Sequence, residues 1–300
     1  MQPKPPTEQQ EATAEHAETG LRPTPRLGKL GAAAIVSGGS SGLGLTIARV
    51  LLARGYAVTI LGRDRERLAA AGETLSGDSS VPSLLHTFTA DATSKVDLNA
   101  AVDSHMGRFG RIDVLVNVVG RSDRGRTEEL DPETLRELFE ANVISALIGS
   151  QACLPGLRQT HGTIVNIGSL ASRVAPRYLG GYVTVKHALA GMTRQMRLEC
   201  EAEGVHVGLV CPGPIASSRP PNRYGVTEES ALPASAAQPG GGAKLKLLSP
   251  DEVAQAVMRC IEKREIEIIL PWKTRCLMCI DAISPRLADW ILSRKSAPSE

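Results

Sequence analysis

Runs of Val, Ile, Leu and Ala alternate along the chain with longer stretches in which apolar residues recur every three or four positions. The runs read as strands at Ala33–Ser37, Ala57–Leu61, Leu84–Thr89, Asp113–Asn117, Thr163–Ile167, His206–Cys211 and Glu265–Leu270. The longer stretches read as helices at Leu43–Ala53, Arg65–Thr74, Val96–Arg108, Pro132–Leu154, Tyr182–Glu203 and Pro250–Lys263. A strand that is apolar without alternation is buried on both faces, which requires a parallel sheet covered by helices. Strand and helix in strict alternation, joined by right-handed crossovers, predict an α/β fold. It is a doubly wound, Rossmann-like parallel seven-stranded sheet with helices on both faces, as a single domain. The expected organisation is a disordered tail over 1–28, a catalytic core over 29–271 and an amphipathic C-terminal extension over 272–300. The Pro-, Ser-, Gly- and Ala-rich stretch 212–248 is an insert in the core, long enough to be a substrate lid.

Composition narrows the function classes. Lys and Arg number 34 against 32 Asp and Glu, a formal charge of +2. That balance lacks the footprint of a nucleic-acid binder, and 3% aromatic residues leave little for base stacking. The six cysteines are too widely spaced for a disulfide framework. Cys276 and Cys279 form a C-x-x-C pair with no second pair or nearby His, so no metal site is expected. The N-terminal segment has no apolar core of a secretory signal, and no run is long enough to span a bilayer, so a cytoplasmic protein is expected. The segment Trp272 to Lys295 is both apolar and basic. It either packs on the core or a partner subunit, or lies on a membrane surface as a peripheral contact. Asp281, Pro285 and Asp289 interrupt it and favour packing.

The first strand runs into Ser37-Gly38-Gly39-Ser40-Ser41-Gly42-Leu43-Gly44 and then a helix. Glycines at such a junction let a pyrophosphate approach backbone N–H groups at the helix N-terminus. The second strand ends in Gly62-Arg63. An acidic residue there would bond a ribose 2′-hydroxyl, whereas a basic one suits a 2′-phosphate, so Arg63 points to NADP(H), with NAD(H) as the alternative. Asp64 reads as the N-cap of the next helix. Tyr182 and Lys186 are four positions apart on one helical face, where an ammonium favours the phenolate and fits Tyr for general acid/base work. Ser169 follows the fifth strand, at the end where parallel sheets bind ligands, and can hydrogen-bond a substrate oxygen.

Together these motifs resemble the classical short-chain dehydrogenase/reductase family from about residue 30 to residue 270. The family's T-G-x-x-x-G-x-G appears as Ser37-Gly38…Gly42-Leu43-Gly44, with Ser for Thr. Asp91, with Ala92 beside it, matches the aspartate that contacts adenine, and Asn117-Val118-Val119-Gly120 matches N-N-A-G at its first and last positions. Pro212-Gly213, Ile215 and Ser217 resemble P-G-x-I-x-T, which holds the nicotinamide carboxamide. The resemblance implies catalysis by Asn142, Ser169, Tyr182 and Lys186. In reduction Tyr182 gives a proton, Ser169 bonds the substrate oxygen, Lys186 lowers the Tyr pKa and binds ribose, and Asn142 supports a water relay. It also implies a homodimer or homotetramer through the Pro132–Leu154 and Tyr182–Glu203 helices.

The C-terminal extension is similar in character to those of hydroxysteroid and keto-sphinganine members, which suggests a lipophilic ketone or alcohol as substrate. Two other readings stand beside this one. A sugar-nucleotide epimerase shares Tyr-x-x-x-Lys, but Leu45 occupies its third glycine position. A non-catalytic NADP(H)-binding regulator or scaffold is opposed by the intact Ser169, Tyr182 and Lys186.

Overall fold

In β1 (Ala33–Ser37) every residue is buried, and neighbours part company by face. Ala34 and Val36 join one apolar cluster while Ile35 joins another, the period of two expected of a strand covered on both sides. The computed structural model describes residues 31–78, 82–216, 232–233, 236 and 245–295. The other strands are β2 (Ala57–Gly62), β3 (Leu85–Thr89), β4 (Val114–Asn117), β5 (Thr163–Ile167), β6 (His206–Pro212) and β7 (Glu267–Leu270). They form one parallel sheet in the order β3-β2-β1-β4-β5-β6-β7. The chain leaves β1 toward β3, then returns to start β4 on the other side of β1. The crevice between the C-terminal ends of β1 and β4 is therefore the switch point where such sheets bind ligands.

Helices α1 (Gly42–Ala53) and α2 (Arg65–Asp78) cover one face, with α7 (Pro250–Lys263) packed on α1. Their contacts with the sheet include Ile47, Leu51, Leu68, Leu75 and Val257. Helix α7 starts as its sequence dictates: Ser249 Oγ accepts from Glu252 N at 3.1 Å, and Glu252 Oε2 accepts from Ser249 N at 2.7 Å. On the other face lie α3 (Lys95–Phe109), α5 (Ser145–Thr160) and α6 (Gly180–Cys200). Leu98, Leu157 and Cys200 meet Ile35, Leu115 and Ile164 there.

Most expected boundaries agree within two residues. Two helices differ by more at their C-terminal ends, α2 running four residues past the expected Thr74 and α6 giving way at Cys200 to a 3-10 turn over Glu201–Glu203, and the largest departure concerns one long helix. The expected Pro132–Leu154 element is three pieces: α4 (Pro132–Phe139), a π-turn (Glu140–Ile144) and α5. It also runs through Pro155 to Thr160, because fully buried Leu157 anchors the last turn to the sheet despite the missing proline N–H. The 272–300 extension forms α8 (Thr274–Ile283) and α9 (Pro285–Lys295), which pack on each other. No helix among the described residues is long and apolar enough to cross a membrane. The expected tail over 1–28 lies outside the described residues, as does most of the 212–248 insert.

Candidate active site

A cleft of about 2230 Å³ opens along the C-terminal edge of the sheet and runs from the glycine loop to the C-terminal helices. At one end Gly38, with φ +70°, turns the chain out of β1. A Cβ on Gly44 would sit 2.2 Å from the Gly38 carbonyl oxygen, so the loop closes onto α1 only without a side chain there. Ser40, Ser41, Gly42 and Leu43 line the cleft with Gly38 and Gly44, and the first turn of α1 carries no acidic residue. This backbone cradle at a positive helix end fits a pyrophosphate.

Arg63 is exposed beside the cradle, and its charge acts on the neighbouring Asp91 carboxyl. The neighbouring Asp64 is committed to α2. Its Oδ1 accepts from Arg67 N at 3.0 Å and its Oδ2 pairs with the Arg67 guanidinium at 2.8 Å. Those contacts hold the Asp64 carboxyl below the usual carboxylate range, led by the backbone bond from Arg67. Asp91 is fixed by Thr93, whose N and Oγ1 both donate to Asp91 Oδ1 at 2.9 and 2.8 Å. These bonds also lower its pKa. Asp91 and Ala92 form the cleft wall next to Arg63.

Two expected cofactor residues stand behind the wall rather than on it. Ser37 is buried and does not line the cleft; its Oγ accepts from Val118 N at 3.2 Å and ties the ends of β1 and β4 together. Asn117 points into the interior, where its Nδ2 donates to Asn166 Oδ1 at 2.9 Å and to Ser150 Oγ at 3.2 Å. Asn166 Nδ2 continues to Thr193 Oγ1 at 2.9 Å. This buried chain links β4, β5, α5 and α6, and Asn166 and Thr193 belong to no motif read from the sequence. Both residues shape the cleft through what they hold. Ser217 lies outside the described residues. Pro212, Gly213 and Ile215 do line the cleft, held by Gly213 N donating to Leu270 O at 2.7 Å and by a bridge from Ile215 to Leu248.

At the centre of the cleft Ser169, Tyr182, Lys186 and Asn142 come together. Ser169 caps a short turn after β5: its Oγ accepts from Ala171 N at 3.1 Å, and Ser172 Oγ accepts from Ser169 N at the same distance. Lys186 is 4% exposed, and its Nζ donates to Ile167 O at 2.9 Å. Burial pushes its pKa down to about 8, which leaves it cationic at neutral pH. The same Nζ stands 5.7 Å from the centre of the Tyr182 ring, as the four-residue spacing predicts. Asn142 sits in the π-turn, where its Nδ2 donates at 2.8 Å to both Leu138 O and Arg121 O. Its Oδ1 is buried with no protein partner among the described residues. A Cβ on Gly120 would lie 2.7 Å from that oxygen and 3.4 Å from Lys186 Nζ, so Gly120 is what admits both groups.

Asp123, which no motif marked, positions the helix that carries Tyr182. Its Oδ1 accepts from Tyr182 N at 3.0 Å and its Oδ2 from Gly181 N at 3.3 Å, so the carboxylate sits on the N-terminus of α6. Arg124 braces the same loop, donating to Ser122 Oγ at 2.7 Å and to Ala236 O at 2.9 Å. Beyond Tyr182 the cleft is walled by α8 and α9. The amphipathic pattern of 272–300 was the sequence signal for this packing, but its target, the catalytic cleft, had no signature.

A parallel doubly wound sheet with a glycine cradle at its switch point and a Ser–Tyr–Lys group on the adjoining strand and helix defines a Rossmann-type oxidoreductase scaffold. The chain belongs to the short chain dehydrogenase family, whose model matches residues 32–223. It is 33% identical over 184 residues, 61% of this chain and 71% of the relative, to 2-(S)-hydroxypropyl-CoM dehydrogenase 3 of Xanthobacter autotrophicus. It is 37% identical to 2-(R)-hydroxypropyl-CoM dehydrogenase of the same organism, over 61% of this chain and 74% of that one. Among solved structures, actinorhodin polyketide ketoreductase with NADPH matches with a TM-score of 0.69 and 28% identity, over 80% of this chain and 95% of that one. An alcohol dehydrogenase of Thermococcus sibiricus complexed with 5-hydroxy-NADP matches with a TM-score of 0.65 and 27% identity, over the same shares of the two chains. The family's members act on small-molecule alcohols and ketones with a nicotinamide cofactor.

Proposed function

We propose that this protein is an NADP(H)-dependent reductase that interconverts a lipophilic ketone and its secondary alcohol. The observation that carries this reading is the approach of Lys186 Nζ to the Tyr182 ring, in one cleft with Ser169 and the glycine cradle. A nicotinamide dinucleotide in the cradle supplies the hydride. Every other step belongs to the chain. Ser169 Oγ holds the carbonyl oxygen, and Tyr182 Oη delivers a proton to it as the alkoxide forms. Lys186, cationic and desolvated, stabilises the phenolate left behind and binds the ribose hydroxyls. Asn142 Oδ1 offers a fixed acceptor beside Lys186 for the water that returns the proton. Oxidation follows the same path in reverse.

Arg63, exposed at the cleft wall, supports the preference for a 2′-phosphate, and the turning of Asp64 into its own helix removes the carboxylate that would repel one. The lipophilic assignment rests on Leu170, Val174, Leu179, Leu277, Ile280 and Leu292, which line the cleft past Tyr182. In this reading the chain divides into the core over 29–271, with a substrate lid in 212–248, and the extension over 272–300. Exposed Phe139 and Leu198, on the helices of the expected dimer or tetramer interface, support self-association there. The buried free thiols of Cys153, Cys200, Cys211 and Cys260 suit a reducing cytoplasm.

The test compares NADPH and NADH oxidation on a panel of ketones. Wild type turns over with NADPH in preference, Arg63→Ala loses NADPH affinity more than NADH affinity, and Tyr182→Phe binds NADPH without turnover. Equal loss for both nucleotides in Arg63→Ala overturns the 2′-phosphate assignment.

A further inference from the structure

Helices α8 and α9 present two faces. The inner one, with Leu277, Ile280, Ile291 and Leu292, lines the cleft, and Met278 packs on the core. The outer one carries exposed apolar side chains. Ile283 is 85% exposed, Trp290 51% and Leu287 47%, and Trp272, just before α8, is 67% exposed. On α9 the spacing of Leu287 and Trp290 sets them on one side of the helix while Ala288 is fully buried, and Arg294, which also lines the cleft, continues that side at the cleft rim. On α8 Arg275 and Ile283 likewise share the side away from the cleft. Large side chains exposed in such a cluster are unusual on a soluble surface and mark a contact site.

The charges on this surface select its occupant. Arg275 and Arg286 are exposed outside the cleft wall, and Lys273 and Arg294 are exposed on its rim, against two acidic residues, Asp281 and Asp289, in the same helices. The Arg294 guanidinium stacks on the Trp290 ring at 4.1 Å, so charge and aromatic face lie together. A two-fold contact with a second copy would set this positive surface against itself. An aromatic and aliphatic strip ringed by Arg and Lys has the chemistry of a helix lying in a bilayer interface with anionic headgroups.

We propose that the outer face of the α8–α9 pair docks on an anionic lipid surface, so that the cleft mouth lined by the inner face of the same helices opens beside the acyl chains. The proposal deepens the lipophilic-substrate reading, on which its purpose rests, but its test does not depend on turnover. Full-length protein is mixed with vesicles of phosphatidylcholine alone or of phosphatidylcholine with phosphatidylserine, and flotation is measured at low and high salt. The protein floats with the phosphatidylserine vesicles, and salt releases it. The triple variant Ile283→Ser, Leu287→Ser, Trp290→Ser lowers partitioning by about tenfold or more, since it removes the apolar insertion. The pair Arg275→Glu, Arg286→Glu lowers it at least as far. All these positions lie outside the cleft wall, so both variants keep the wild-type circular dichroism and melting temperature. No flotation with phosphatidylserine vesicles overturns the proposal, and so does flotation that both variants retain. Concentration-dependent self-association that the triple variant abolishes, without vesicle binding, assigns the face to a second copy and also overturns it. A wild type that floats but reduces no ketone leaves the docking intact and removes the ketone reading instead.

Discussion

The most exacting perturbation of the catalytic group is a single added methyl at Gly120. A Cβ there would meet Asn142 Oδ1 at 2.7 Å and Lys186 Nζ at 3.4 Å. An ordinary carbon–oxygen contact is about 3.4 Å, so the Asn142 amide or the β4 loop must give by about 0.7 Å. The amide is pinned by two 2.8 Å bonds from its Nδ2, to Leu138 O and Arg121 O. Releasing that strain costs about 1 to 3 kcal/mol, as in other overpacked sites. The loss falls on geometry more than on folding, because the residues displaced are those that hold Lys186 and its relay. A misplacement of about 1 Å in such a group costs on the order of 100-fold in rate. Gly120→Ala should therefore reduce kcat by about 10- to 100-fold while the melting temperature moves by a few degrees. Steady-state kinetics with NADPH and the best ketone, beside a thermal melt, gives both numbers. A folded Gly120→Ala variant with kcat within about twofold of wild type would falsify the assignment of Gly120 as the space-maker for Asn142 and Lys186.

Three further outcomes follow from burial and charge. Lys186 is held down to about 8 from an ordinary 10.5, so the unfolded chain binds a proton that the fold does not between those values. Stability should rise with pH across that window, and the cost of about 3 kcal/mol stands in full below it. Lys186→Met should melt higher than wild type at neutral pH, with the gap closing toward pH 10.5, and should lack turnover. A variant that melts lower throughout counts against this. His105 and His206 are buried and lowered to about 4 from 6.5. Their neutral forms favour the fold above 6.5, and that contribution is lost as pH falls through 4. His105→Gln should flatten the acid side of the stability profile by about one proton; an unchanged slope refutes it. Asp123→Ala uncaps α6 and should cost about 1 kcal/mol of stability along with a larger loss in kcat than in NADPH affinity. Denaturant titration and nucleotide binding separate the two effects.

What could be read from the sequence was whatever repeats at a fixed period or sits next to a glycine. The alternation of apolar runs and amphipathic stretches is enough for all seven strands, and the Tyr182–Lys186 spacing yields a shared face because helical geometry admits nothing else. The turn of Asp64 into its own helix was legible for the same local reason: it is followed three positions later by the N–H it caps. The π-turn at Glu140–Ile144 was not legible, since one extra residue per turn leaves the apolar pattern nearly unchanged while rotating Asn142 into the site. Asn166, Thr193 and Asp123 were missed because their partners lie 27 to 59 positions away. Ser37 and Asn117 match a motif yet face inward, because a motif records identity and not the direction of a side chain at a strand end. The C-terminal segment showed its amphipathicity, but only the folded chain shows that one face completes the cleft and that Ile283, Leu287 and Trp290 stand exposed on the other.

The central claim is that hydride reaches a carbonyl carbon in this cleft while Tyr182 supplies the proton. The direct measurement is a reaction with NADPH deuterated at its transferable position and a lipophilic ketone, followed by mass analysis of the alcohol. Wild type should place one deuterium on the carbinol carbon, and Tyr182→Phe should bind the nucleotide with wild-type affinity and form no labelled product. NADPH bound tightly by wild type with no deuterium in any alcohol, across the ketone panel, would contradict the account.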